Sequence, residues 1–116
     1  MTVNKVIVAG SRGIYNYNIV VNAINESKFR IDELVCGGAQ GVDLLGKKYA
    51  EKHKIPVKMF PADWDTHGKA AGYLRNKEMA EYATHLIAVW DGESRGTKMM
   101  IDLAKKNHLL VHLVMV

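Results

Sequence analysis

Five apolar, β-rich runs recur along the chain with helix-length segments between them, and this alternation restricts the fold more than any other feature of the sequence. The runs are Val6-Ile7-Val8-Ala9, Leu34-Val35-Cys36, Val57-Lys58-Met59-Phe60, Leu86-Ile87-Ala88-Val89-Trp90 and Leu109 to Val116. Most are hydrophobic without interruption, as parallel strands covered on both faces should be. Between them, Val42, Leu45, Tyr49 and Ala50 make one apolar stripe at helical spacing, and Thr97, Met100, Ile101 and Ala104 make another. A less regular helix is expected near Tyr15 to Lys28, with Val20, Ala23 and Ile24 inward, and a further helix from about His67 to Ala83. Strands alternating with helices imply a parallel sheet with right-handed crossovers, hence a three-layer α/β fold. The usual doubly wound strand order for five such strands is 3-2-1-4-5.

With no linker, repeat or low-complexity tract, residues 1–116 are expected to form one domain, large enough for a core without disulfide or metal staples. Cys36 is the single cysteine, so no internal disulfide is expected, and its place at a strand end suggests a buried thiol in a reducing interior. No secretory signal and no run of membrane-spanning length is visible, so a cytoplasmic protein with no membrane partner is expected. The five histidines show no metal-ligand spacing; no metal and no cofactor are expected. A formal net charge of +4 suits anionic ligands. It is too small, and too little clustered, to single out nucleic acid, which is not an expected partner.

In an open α/β sheet, ligands bind beyond the carboxyl ends of the strands, where the winding reverses. The segments that would meet there are Gly10-Ser11-Arg12-Gly13, Gly37-Gly38-Ala39-Gln40-Gly41 and Asp91-Gly92-Glu93-Ser94-Arg95-Gly96-Thr97. Each is rich in glycine and small polar residues and leads into a helix, whose first amides and dipole favour an anion. The glycines either let an anionic group reach the amides or simply make tight strand-to-helix turns. On the first reading, a Cβ at Gly38 or Gly41 should block the anion and leave the fold intact. Arg12 is suited to bidentate phosphate pairing, with Ser11 adding a hydroxyl. Asp43, in the first turn of its helix, either compensates the dipole and caps, or holds a ribose hydroxyl or orients Arg12. Thr97 and Ser94 can donate to a phosphate or cap their helix, and Asp91 can hydrogen-bond a ribose.

The set Val8-Ala9-Gly10-Ser11-Arg12, Cys36 to Asp43, Phe60-Pro61-Ala62-Asp63-Trp64, His67-Gly68-Lys69-Ala70-Ala71-Gly72, Arg75-Asn76-Lys77-Glu78-Met79 and Trp90 to Thr97 resembles the YspA-like family of the SLOG superfamily. The resemblance covers nearly the whole chain. It implies a Rossmann-like fold that binds nucleotides or nucleotide-derived molecules, and a phage origin is compatible with it. Related LOG-type phosphoribohydrolases carry a catalytic glutamate three residues after the threonine of a comparable Gly-Thr pair. Here that position is Met100, which can neither take a proton nor stabilise an oxocarbenium ion. Of the nearby carboxylates, Glu93 lies in the loop, and Asp102 falls off the apolar stripe and should face water.

The third helical segment places Gly68, Gly72 and Asn76 at four-residue spacing, an expected flat strip with His67, Lys69 and Arg75 adding positive charge nearby. Either another helix, of this chain or of a second subunit, or a base or ribose would pack on it. Arg75 and Asn76 either read a phosphate and a base edge, or form an ion pair with Glu78 or Asp63 and a satisfied amide. Trp64 stacks on a base or sits in a core or interface. A homo-oligomer, most simply a two-fold dimer, is expected. The expected function is binding of a nucleotide-derived small molecule as a sensor or a phage-type sponge; the alternative is a hydrolase acting at an N-glycosidic or phosphoester bond.

Overall fold

A strand apolar on both faces is stable only between two covering layers, and the computed structural model, which describes residues 3–116, has that arrangement. Strands β1 (Lys5–Gly10), β2 (Glu33–Cys36), β3 (Val57–Met59), β4 (His85–Trp90) and β5 (Leu110–Met115) form one parallel sheet in the order β3-β2-β1-β4-β5. The helices are α1 (Tyr17–Ser27), α2 (Val42–Lys52), α3 (Trp64–His67), α4 (Ala71–Tyr82) and α5 (Arg95–Lys106). The fold is Rossmann-like. On one face Val6, Val8, Leu34, Ile87 and Val89 meet Val20 and Ile24 of α1 and Val42 and Ala50 of α2. On the other, Ile7, Val35, Leu86 and Ala88 meet Met79 and Ala80 of α4 and Met100, Ile101 and Ala104 of α5. Ile7 and Ile87, both fully buried, face opposite layers, so truncating either to alanine should cost about 2–5 kcal/mol.

The register keeps these faces aligned. Val6 lies opposite Leu34 in β2 and opposite His85 in β4, and Val8 lies opposite Ile87. Because β2 and β4 flank β1 on opposite sides, the chain leaving β1 enters α1 on one face while the chain leaving β4 enters α5 on the other. A crevice opens between them at the carboxyl ends of these strands.

Two expectations change. The segment from His67 to Ala83 is not one helix: α3 is capped by Asp63, whose side chain accepts from the Thr66 amide at 3.1 Å, and a 3-10 turn over Gly68–Ala70 separates it from α4. Gly68 has φ 55° and ψ −130°, a conformation outside any right-handed helix. It therefore stands off α4, the Gly68-Gly72-Asn76 strip does not form, and self-association loses that strip as its basis. The last strand sits at the sheet edge, as the order 3-2-1-4-5 expects, but its faces are less covered than its continuous apolar run implies. Leu110, Leu113 and Met115 remain exposed there. Among the described residues, no helix is long and apolar enough to cross a membrane.

Candidate functional site

The crevice between β1 and β4 holds a cavity of about 60 Å³. Nine of the expected residues line it: Gly10, Arg12, Ala39, Asp43, Arg75, Asn76, Ser94, Gly96 and Thr97. Its apolar lining includes Met79 and Met100, both 2 % exposed, while Arg12 and Gly96 form its exposed side. Met79 was not recognised as a site residue from sequence. Its signal was present, since it follows Asn76 by three residues and so shares a helix face with it.

The first loop is held by its own chain. The Ser11 amide donates to the Val89 carbonyl at 3.1 Å, and the Ser11 hydroxyl accepts from the Asp91 amide at 3.1 Å. Ser11 is 1 % exposed, so the hydroxyl expected for a ligand instead ties the β1 and β4 loops together. Asp91 accepts from the amides of Ser94 at 2.9 Å and Glu93 at 2.8 Å, and these bonds hold its carboxyl below the usual range. Ser11, Asp91, Gly92 and Gly41 thus form the frame and do not line the cavity.

The glycine-rich second loop answers differently from the expected phosphate cradle. The anion at its amides is Asp43, 5 % exposed, whose Oδ2 accepts from the Ala39 amide at 3.3 Å, with the Gly10 and Gly37 amides also drawing electrostatically on the carboxylate. Burial pushes this carboxyl up to about 6, against the opposing pull of Arg75 and of the three amides. The arginine acting on Asp43 is thus Arg75, not Arg12.

Arg75 itself donates from Nη1 to the Gly37 carbonyl and from Nε to Asn76 Oδ1 at 2.9 Å, in place of an ion pair with Glu78 or Asp63. Its guanidinium explains Gly37, where a Cβ would lie 2.7 Å from Nη1. Gly41, at φ 78° and ψ −127°, packs on the β1 loop: a Cβ would lie 2.6 Å from the Ser11 carbonyl oxygen and 2.7 Å from that of Arg12. A side chain there disrupts the fold before it meets any ligand, contrary to expectation. Gly38 (φ 79°) is more open, with only the tip of Met59 nearby, at 3.3 Å. The Cys36 thiol is fully buried, donates to the Asp43 carbonyl at 3.4 Å and accepts from the Gly38 amide at 3.4 Å. Burial pushes it up, away from thiolate chemistry.

At the β4 end, Ser94 caps α5: its side chain accepts from the Thr97 amide at 3.4 Å, its hydroxyl lies 3.1 Å from that of Thr97, and its carbonyl accepts from Trp90 Nε1 at 3.0 Å. The capping reading of Ser94 therefore holds, and Ser94, Gly96 and Thr97 still reach the cavity from the first turn of α5. Asp102 faces water, paired with Lys98 at 3.0 Å. Glu93 is exposed outside the lining, which leaves Asp43 as the carboxylate of this cavity.

A second cavity, about 320 Å³, adjoins the first. Arg12, Ala39 and Arg75 line both, and the larger one adds Gly37 and Gly38 from the second loop, Met59 at the end of β3, Pro61 and Ala62 from the segment leading into α3, and Trp64 at its start.

The model of the YspA, cpYpsA-related SLOG family matches residues 4–67. The chain belongs to this family. It is similar to the Gene 61 protein of Mycobacterium phage D29, 31% identical over 111 residues that span 88% of this chain and 89% of the phage protein. In this SLOG-family chain the matched segment carries Arg12, Asp43 and Trp64. The rest of the inner cavity's lining, from Arg75 to Met100, lies beyond the match.

Proposed function

We propose that the chain captures a nucleotide-derived small molecule, of NAD- or ADP-ribose-like or cyclic-nucleotide type, as a sensor or as a phage-type sponge. The observation that carries this reading is the convergence of Arg12 and the first turn of α5 on a cavity lined by two buried methionines at the sheet's switch point. A helix start leaves amides without intrahelical partners, and a guanidinium supplies a planar fork for phosphate oxygens. Asp43 already takes the Ala39 amide and sets a negative charge against the second loop, so the phosphate belongs at Arg12, Gly96 and Thr97. Asp43 then suits a ligand hydroxyl, such as that of a ribose, as a hydrogen-bond acceptor.

A hydrolase acting at an N-glycosidic bond is the second reading, favoured by one observation. A carboxyl pushed up to about 6 inside the cavity is poised for proton transfer near neutral pH. Against it stands Met100, fully committed to the cavity lining where related phosphoribohydrolases place a glutamate. Purified protein incubated with a panel of nucleotides, NAD derivatives and cyclic nucleotides, followed by mass spectrometry of the released material, separates the two. Recovery of an intact ligand is the expected result. Turnover to a free base and a ribose phosphate would establish the hydrolase, and neither retention nor turnover of any compound would sink both.

A further inference from the structure

We infer that the outer cavity is a nucleobase subsite, in which the planar part of the same ligand stacks on Trp64. The inference rests on the reading of the inner cavity as the phosphate site. Size supplies the first reason. At about 60 Å³ the inner cavity takes a phosphate-sized group but not a nucleotide, whereas small-molecule sites commonly run from about 300 Å³ upward. The adjoining volume of about 320 Å³ is where the rest of such a molecule can go. Arg12, Ala39 and Arg75 belong to both cavities, so a single ligand can cross from one to the other without leaving the protein surface.

Chemistry supplies the second. The outer walls present an indole, a thioether, a proline ring and two guanidinium groups, and no carboxylate lines them. Each of these favours the face of an electron-rich aromatic ring: indole by stacking, the Met59 sulfur by its polarisability, the guanidinium groups by cation–π contact. Trp64 is 54 % exposed and Met59 is 39 % exposed, so their apolar area is available rather than spent on the core. The indole is nonetheless held in place. Asp63 caps the short helix that carries it, and the far edge of the ring lies 3.6 Å from where a Cβ of Gly72 would stand, so it rests on a stretch of α4 without a side chain. An indole anchored at its edge and more than half exposed suits a flat partner.

The test compares AMP with ribose 5-phosphate, which share ribose and phosphate and differ by the base, using calorimetric titration of the full chain. Wild type should bind AMP about tenfold or more tightly than ribose 5-phosphate, the scale of base stacking on an aromatic side chain. Trp64→Ala should collapse that ratio toward one, and Trp64→Phe should restore most of it; the melting temperature reports that both variants fold. Equal affinities for the two probes in wild type would overturn the base subsite and leave the phosphate site standing. Failure of both probes to bind would remove the phosphate site and the subsite with it. An unchanged ratio in Trp64→Ala, with a lower mass by light scattering, would assign Trp64 to contact between two copies of the chain and also overturn the inference.

Discussion

Asp43→Asn should stabilise the protein at neutral pH and flatten part of its pH dependence. Burial raises the Asp43 carboxyl from its ordinary 3.8 to about 6, so the folded state holds this proton more tightly than the unfolded state does. The sign follows from linkage: Asp43's contribution is full below the unfolded value and is lost as pH rises through the folded one, between about pH 4 and about pH 6. That difference in proton affinity converts to a loss of about 3 kcal/mol. Asparagine keeps an oxygen for the Ala39 amide and has no charge to desolvate, so the loss should vanish. Other groups titrate in both proteins. Desolvation lowers His85, and hydrogen bonds lower Asp32, Asp63 and Asp91, all of which favour stability at the higher end of their ranges. Their contributions cancel when the two proteins are subtracted. Urea titrations of both from about pH 4 to about pH 8 give that difference directly. Parallel stability curves, or a wild type that gains on the variant as pH rises, would refute the reasoning.

Gly41→Ala should unfold the protein at a markedly lower temperature, losing about 2 kcal/mol or more. The new Cβ meets two carbonyl oxygens in a backbone region nearly closed to L-residues. Gly38→Ala, free of such a collision, should lose about 1–2 kcal/mol, and calorimetry showing the reverse order would contradict this account of the loop. Ser11→Ala removes the acceptor of the Asp91 amide, a part-buried bond, and should cost about 0.5–1.5 kcal/mol in urea unfolding; a neutral result would mean the two loops are not joined there. Arg12→Ala should weaken AMP binding about tenfold or more in calorimetric titration while the melting temperature stays put, because the side chain is exposed and packs no core. Undiminished affinity would remove Arg12 from the site.

The layered fold was legible because hydrophobic period is a physical property of each segment: Val6 to Ala9 and Leu86 to Val89 had to be buried on both sides wherever they lay. Strand order came from a general habit of parallel sheets and agrees with the structure. The convergence of the loops carrying Arg12, Asp43 and Thr97 followed from that order, whereas Arg75 was singled out from the composition of the third helical segment, which the order does not place. What the sequence could not express was which partner each loop residue takes. Gly41 and Ser11 read as ligand contacts because a glycine or a hydroxyl beside a strand end looks the same whether the approaching group belongs to a ligand or to the neighbouring loop. Asp43 reads equally as a capping residue or as a partner of a ribose or of Arg12 until the depth of α2 against β1 is known. The break at Gly68 was hidden for a related reason, since a four-residue spacing of small residues resembles a helix face even where one of them carries a left-handed φ.

Ser11 has a kinetic meaning beyond the hydrogen bonds it makes. Its hydroxyl and amide clasp the β4 end, and Gly41 rests on its carbonyl, so loops from three strands are locked to one another. Freedom that a mobile loop would surrender on capture, about 1–2 kcal/mol for each residue ordered, has here been given up during folding. Association should then be limited by collision and not by rearrangement, and the rigid mouth should discriminate by shape, rejecting molecules to which a softer loop would mould itself.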